Sequence, residues 1–201
     1  MSAPRVLVLA CGALAREILA LLPKERFPTV DLHCLPATLH NRPARIAPAL
    51  RAALAERAGQ YDRILVGYGD CGTGGELDKV VAEFGAERLP GPHCYAFFSG
   101  VAEFATREEA DMRSFFLTDF LARHFDTLLW QGLGLDRHPE LREAYFGQYE
   151  KVVFLAQTAD AALTAAAQAA AARLGLGFER RVVGYGDLAP ALQRAAGAAA
   201  G

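Results

Sequence analysis

The chain has 201 residues, enough for one large or two small domains with a buried core, and no apolar run reaches the roughly 18 residues that a membrane span needs. Hydrophobic residues make up 52% and the net charge is −2, so nothing in the charge balance points to nucleic acid or an anionic membrane as a partner. Cys11, Cys34, Cys71 and Cys94 include no CxxC pair, which excludes a zinc finger or ribbon read from sequence, and without a secretion signal they do not suggest a disulfide framework.

RVLVLA at 5–10 is a short apolar run rich in β-branched residues and predicts a buried strand. Apolar residues at helical spacing follow from Gly12 to Leu22. Charges interrupt that stretch, so the segment reads as a strand and then a helix, not as a secretion signal. VDLHC (30–34) predicts a second strand, and the loop LPATLHN leads into a helix over 42–58 with Asn41 as N-cap and Pro43 in its first turn. YDRILVGY (61–68) predicts a third strand. Thr73 and Glu76 then form a capping-box pattern for the next helix. Thr106 and Glu109 repeat that pattern ahead of a long helix to about residue 125, with Phe115, Phe116, Phe120 and Phe125 as its core face. Residues 127–149 read as a connector with one short helix. KVVFLA (151–156) predicts a strand, 159–174 an alanine-rich helix, FERRVVGY (178–185) a strand, and 188 onward a last helix with a frayed end.

Strands alternating with helices predict an α/β fold: a parallel sheet with helices on both faces, in a single domain over 1–201. The chain also echoes itself. VLVLA resembles VVFLA, and VGYGDCG (66–72) resembles VGYGDLA (183–189). Either strand–turn–helix chemistry recurs, or two similar α/β units, a pseudo-repeat over 1–100 and 150–195, face one another. In the second case Asp187 would reach the site instead of capping the last helix.

Cys11 directly follows the first predicted strand, Cys71 follows the third, His40 immediately precedes Asn41, and His93–Cys94 lie in the stiff loop LPGPHCYAFFSG. In open α/β sheets, ligands bind beyond the carboxyl ends of the strands. A thiolate is what binds zinc or attacks an electrophile, and helix N-termini favour it. Taken singly, each of these cysteines reads more readily as a small buried apolar residue. Three in equivalent loops favour a shared site. Cys34 lies within a strand pattern, and it reads as structural, as do His33, His124 and His138. Gly67, Gly69 and Gly72 spell GxGxxG between a strand and a helix, with Glu87 further on, so Gly69 and Gly72 are candidate cofactor-binding positions of a dinucleotide loop. Cys71 at an x position favours a different use of these glycines, a sharp turn that aims the thiol into a cleft. GxSxG, P-loop and HExxH patterns are absent from the sequence.

The motifs CGxLxxE (11–17), LPxxLHNxP (35–43), GYGxCGxG (67–74) and PHCYxFFxG (92–100) occur in that order. Together they closely resemble the domain of unknown function 1638 family, over about residues 5–190. The resemblance picks out Cys11, His40, Cys71 and Cys94. In many relatives the last motif looks more like an HDC element, where this chain has PHCY. The resemblance implies a setting near corrinoid-dependent methyltransferases and one-carbon enzymes.

Three expectations follow. In the first, Cys11, Cys71 and Cys94 converge with His40 or His93 on Zn²⁺, which activates a thiol or bound water in an enzyme acting on a small-molecule substrate or a corrinoid protein. Three thiolates and a neutral histidine would leave such a site near −1. In the second, the same thiolates hold an iron–sulfur cluster, or the protein is an accessory that hands metal or corrinoid to a partner enzyme. In the third, the site is metal-free, with Cys71 as nucleophile and His40 or His93 as base. All three place the protein in the cytoplasm, with no nucleic-acid or membrane partner.

Overall fold

A computed structural model describes residues 4–197. The chain is α/β and divides into two compact units. The first runs to Phe97 and resumes at Gly186, and the second spans Phe98–Tyr185.

In the first unit, β1 (Val6–Cys11), β2 (Val30–Leu35), β3 (Arg63–Gly67) and β4 (Glu87–Arg88) form a parallel sheet in the order β2-β1-β3-β4. The crossovers carry α1 (Ala15–Leu21), α2 (Ile46–Arg57) and α3 (Glu76–Glu83), and α4 (Cys94–Ser99) takes the chain into the second unit. Side chains alternate along a strand, so β1 serves two faces. Leu7 and Leu9 pack with Leu50 and Leu54 of α2 and Leu77 and Val80 of α3, together with Ile64, Val66 and Tyr68 from β3 and its extension. Burying each such leucine contributes about 1.5–3 kcal/mol. Cys11 falls on this same face and packs against the cluster.

The predicted N-cap at Asn41 is not formed. A 3-10 turn at Pro43–Arg45 precedes α2, and no side chain caps that helix. Pro43 opens the 3-10 turn, where its missing N–H costs nothing. Thr73 takes part in starting α3, its Oγ1 accepting from the Leu77 N–H at 3.3 Å, although Gly75 in a left-handed conformation is the residue just before the helix.

The second unit holds α5 (Val101–Thr106), α6 (Glu108–Asp111), β5 (Ser114–Thr118), α7 (Asp119–Arg123), α8 (Leu141–Phe146), β6 (Lys151–Ala156), α9 (Ala161–Leu174) and β7 (Gly177–Val182). Its sheet is parallel, in the order β5-β6-β7. The long helix predicted from Thr106 to about residue 125 is not there. Thr106 is the last residue of α5, and its hydroxyl donates to the Glu103 carbonyl at 2.7 Å, so it ends a helix where the pattern predicts a start. SFFLT pairs with β6 instead. The phenylalanines then alternate: the Phe115 ring meets Phe146 at 5.0 Å and the Phe116 ring meets Phe104 at 5.6 Å. Pairing with a buried strand outweighs local helical spacing, as tertiary context commonly does.

The ends of β5 and β6 are locked by Asp119 and Gln157. The Asp119 carboxylate accepts from the backbone N–H groups of Gln157 and Thr158, both at 3.0 Å, and from the Thr158 hydroxyl at 2.5 Å. Gln157 Oε1 accepts in return from the Asp119 N–H at 2.6 Å. Elsewhere in this unit Arg181 grips buried Asp111 through two N–H groups at 2.5 and 2.7 Å.

After β7 the chain re-enters the first unit as α10 (Leu188–Gly197), which lies against α1 and β3 and buries Leu188 and Leu192. The Asp187 N–H donates to the Phe97 carbonyl at 2.7 Å, which stitches the point of re-entry to the point of exit. The Asp187 carbonyl accepts from the Ala191 N–H, the first turn of α10. The two VGYGD segments stand differently in the fold, one running directly off β3 and the other leaving β7. Among the described residues no helix is long and apolar enough to cross a membrane.

Candidate functional site

The carboxyl ends of β1 and β3 carry Cys11 and Cys71. At the first, Gly12 follows Cys11 because a Cβ there would stand 3.0 Å from the Leu35 carbonyl, so the turn after β1 lies tight on the exit of β2. At the second, Gly67 faces Ala10 across the sheet, where a Cβ would come to 2.6 Å of the alanine Cβ.

The loop after β3 is built by two devices. Asp70 folds it from inside, its carboxylate accepting from the Thr73 hydroxyl at 2.8 Å, the Gly75 N–H at 2.9 Å and the Gly74 N–H at 3.2 Å. These donors hold the Asp70 carboxyl below its ordinary range, the Gly75 N–H first among them. The segment before α4 then zips onto the loop from outside. The Cys71 N–H donates to the Pro92 carbonyl at 2.6 Å and the Asp70 N–H to the Gly91 carbonyl at 3.2 Å. Gly69 permits this approach, since a Cβ would meet the Gly91 carbonyl and the His93 backbone at 2.9 Å. Cys71 itself adopts a left-handed conformation, φ 52°, unusual for a residue with a side chain. The glycines of GxGxxG thus serve a close approach at Gly69 and a positive φ of 78° at Gly72. The Gly74 and Gly75 amides are turned to Asp70, so a phosphate placed there would compete with a carboxylate.

These contacts bring Cys71 beside Cys94. Cys11, Cys71 and Cys94 lie close enough that a charge on one opposes a charge on the others. Burial is the larger effect for each and raises all three thiols, Cys71 to about 11 and Cys94 well above the usual thiol range. Backbone amides oppose the rise: Ala13 acts on the Cys11 sulfur, Gly69 and Cys94 on Cys71, and Tyr95 and Cys94 on Cys94. Such amides favour thiolates. The three half-buried sulfurs therefore have donors that suit an anion close by.

His40 and His93 stand near each other, and burial lowers the pKa of both, with the mutual charge effect adding at His93. His40 lies in the short 3-10 helix Ala37–Asn41 and keeps an exposed surface, although neighbouring chain desolvates its ring. Both rings are held neutral at physiological pH, the form in which imidazole is a ligand or a base. Among the described residues, no group of three or more His, Cys, Asp or Glu side chains is set to hold a metal ion. The cysteines are gathered, but not in ligand array.

Two residues enter that sequence reasoning left aside. Cys34 pairs in register with Ala10 and is close enough for the Cys11 charge to raise its thiol, although burial acts more strongly. Strand alternation puts it on the face opposite Cys11. Tyr68 is 3% exposed and stands where β3 continues past Gly67, on the Cys11 face, with its hydroxyl against the Cys11 sulfur. The signal lies in GYGxCG itself, a polar aromatic at the end of an otherwise apolar buried strand.

A family model described as "Protein of unknown function (DUF1638)" matches residues 34–192. No curated protein and no solved structure matches the chain.

Proposed function

The chain belongs to the DUF1638 family, and we propose that its first unit takes up a thiophilic metal ion, zinc foremost, on Cys11, Cys71 and Cys94, with His40 or His93 as nitrogen donor. The observation that carries this reading is three neighbouring, half-buried free thiols, each faced by backbone N–H groups that suit a thiolate. A divalent cation supplies the missing positive charge and drives the protons off, as metal binding to thiols does. Uptake requires the thiol side chains to turn about χ1, since no ligand array stands ready among the described residues. When bound, zinc would polarise a substrate or activate a thiol or water. The loaded site is then the working centre of an enzyme. In this reading His40, exposed and near His93, exchanges a proton with solvent.

The corrinoid and one-carbon setting is supported by the family resemblance alone, and in this reading it supplies a methyl-bearing small molecule or a corrinoid protein as substrate. A cytoplasmic location fits four free cysteines, which need a reducing compartment to stay free. The second reading, an accessory protein with an iron–sulfur cluster, rests on the same thiols and is separated from the first by colour.

The test is elemental analysis and visible absorption of protein purified without oxygen. About one zinc per chain, lost in Cys71→Ser and in Cys94→Ser with far-ultraviolet circular dichroism unchanged, supports the proposal. A visible chromophore with iron moves the assignment to the cluster. Protein that stays metal-free, and that takes up neither zinc nor cobalt on titration, sinks both and leaves thiol chemistry at Cys71.

A further inference from the structure

β7 is an outer strand of the second sheet, paired with β6 on one side only. The ladder fixes which of its backbone groups are engaged. The N–H groups of Gly177 and Val183 donate to the Glu150 and Ala156 carbonyls at 2.9 and 3.0 Å, so the odd-numbered residues of β7 bond to β6. Successive residues of a strand bond to opposite sides, and Phe178, Arg180 and Val182 therefore turn their N–H and C=O groups away from β6. None of these outward groups has a hydrogen-bond partner among the described residues. β7 is regular along its whole length, with neither bulge nor proline to guard the edge. The same three residues share one face, on which Arg180 is exposed and Val182 is 71% exposed. Arg180 has no ion-pair partner among the described residues, whereas Arg181, on the other face, is held by Asp111 and Glu179.

Strand addition takes its affinity from main-chain hydrogen bonds and its specificity from alternate side chains. We propose that the outer edge of β7 is a docking strand for an extended segment of a partner protein, one that bears an acidic residue with an apolar residue two positions away on each side. The backbone groups of Phe178, Arg180 and Val182 hold the segment, its acid meets Arg180, and its apolar side chains cover Phe178 and Val182. The proposal is independent of the metal reading. Charge also argues against a second copy of this chain as the occupant. Antiparallel self-pairing through all three open residues sets Phe178 opposite Val182, but it sets Arg180 opposite the Arg180 of the other copy. The two neighbouring registers oppose Glu179 to Glu179 or Arg181 to Arg181. Like charges directly opposite one another destabilise a strand pair. Arg180 therefore selects an acidic partner and keeps the chain from pairing with itself.

The test uses the chain's own edge as the probe. Arg180→Glu turns β7 into a strand of the required pattern, an acid between Phe178 and Val182, and a strand already ordered is spared the entropy that a free peptide loses on docking. Sedimentation equilibrium of the full chain, under reducing conditions and at up to about 1 mM, reads weak pairing. Wild type alone and Arg180→Glu alone should stay monomeric. An equimolar mixture should form a one-to-one complex, about tenfold or more tighter than either self-association, because a repulsive central pair becomes an attractive one. Val182→Pro in the wild-type chain should abolish the complex, since proline there removes an outward N–H and takes no bond from β6. A mixture that stays monomeric, a wild type that pairs with itself as well as with Arg180→Glu, or a complex untouched by Val182→Pro overturns the proposal. Should Arg180→Glu fail to fold, Arg180→Val decides. With the central repulsion gone it should dimerise by itself and lose the dimer when Val182→Pro is added, and a monomeric Arg180→Val overturns the proposal.

Discussion

The backbone N–H of Cys71 donates to the carbonyl of Pro92 at 2.6 Å. That bond joins two loops distant in sequence, and it sets one thiol, in a left-handed backbone conformation, beside the segment that carries another. The cysteine cluster therefore depends on main-chain zippering, and it can be perturbed without touching a cysteine.

Gly69→Ala should do so. Its new Cβ would meet the Gly91 carbonyl and the His93 backbone at 2.9 Å, and neither belongs to a flexible side chain. The expected cost is about 1–3 kcal/mol, typical of overpacking a tight contact. Gly59→Ala is the control, with nothing within 4 Å of its Cβ. Urea midpoints should fall for Gly69→Ala and stay within about 0.5 kcal/mol of wild type for Gly59→Ala.

Arg88 and Asp78 form an ion pair, yet the two residues should not matter equally. Asp78 is 53% exposed in its side chain, so Asp78→Asn should cost under about 1 kcal/mol. Arg88 also donates to the Leu89 carbonyl at 2.8 Å and to the Gly91 carbonyl at 3.3 Å, pinning the chain that leads to His93 and Cys94. Arg88→Met should cost about 1–2 kcal/mol by taking the Arg88 donor from the Leu89 carbonyl and leaving Gly91 with the Asp70 N–H alone. Amide hydrogen exchange should quicken across 89–94 in Arg88→Met and hardly change in Asp78→Asn.

The metal-free protein should lose stability in alkali. The thiols of Cys11, Cys71 and Cys94 are all raised in the fold, Cys71 to about 11 from an ordinary 9.0. A raised acid is protonated in both states below pH 9, where its contribution is whole. Above that the unfolded chain ionises first, and the contribution falls as pH rises through the folded value. For Cys71 the window is about pH 9 to 11, with a limiting slope of about 1.4 kcal/mol per pH unit. Urea denaturation at several pH values, wild type against Cys71→Ser, measures it. A slope that does not lessen in Cys71→Ser contradicts the prediction.

Asp119 should be among the costliest single positions of the second unit. It is 2% exposed, and its carboxylate accepts three hydrogen bonds from Gln157 and Thr158. Asp119→Ala strands buried donors and should lose about 2–4 kcal/mol in thermal or urea unfolding. Exchange should rise first at the ends of β5 and β6.

The strands readable from sequence are those whose burial is continuous. VLVLA and VVFLA are apolar at every position because both sheet faces are covered, and a run so short and so uniformly apolar rarely arises in any other setting. SFFLT imitates a helix because adjacent phenylalanines with two more downstream satisfy a helical spacing, and nothing local reveals that β6 lies alongside. The two-residue β4 is too short to show any period. Loop position places Cys11, Cys71 and Cys94 together by a simple rule about strand ends. Sequence does not reveal whether their sulfurs form a ligand set, since that depends on χ1 settings and on a left-handed Cys71. Asp70 escapes notice because an acid in a glycine loop looks solvated, whereas this one organises the turn.

The second unit lies within the first as an interruption between Phe97 and Gly186. As the chain emerges from the ribosome, the four strands and the cysteine loops of the first unit appear early, but α10, which lies against β3, appears only after every residue of the second unit. Until then the face of the first sheet where Leu188 and Leu192 will pack is bare and open to chaperones. A nascent chain halted in the second unit would thus carry a complete set of thiols on an unfinished scaffold.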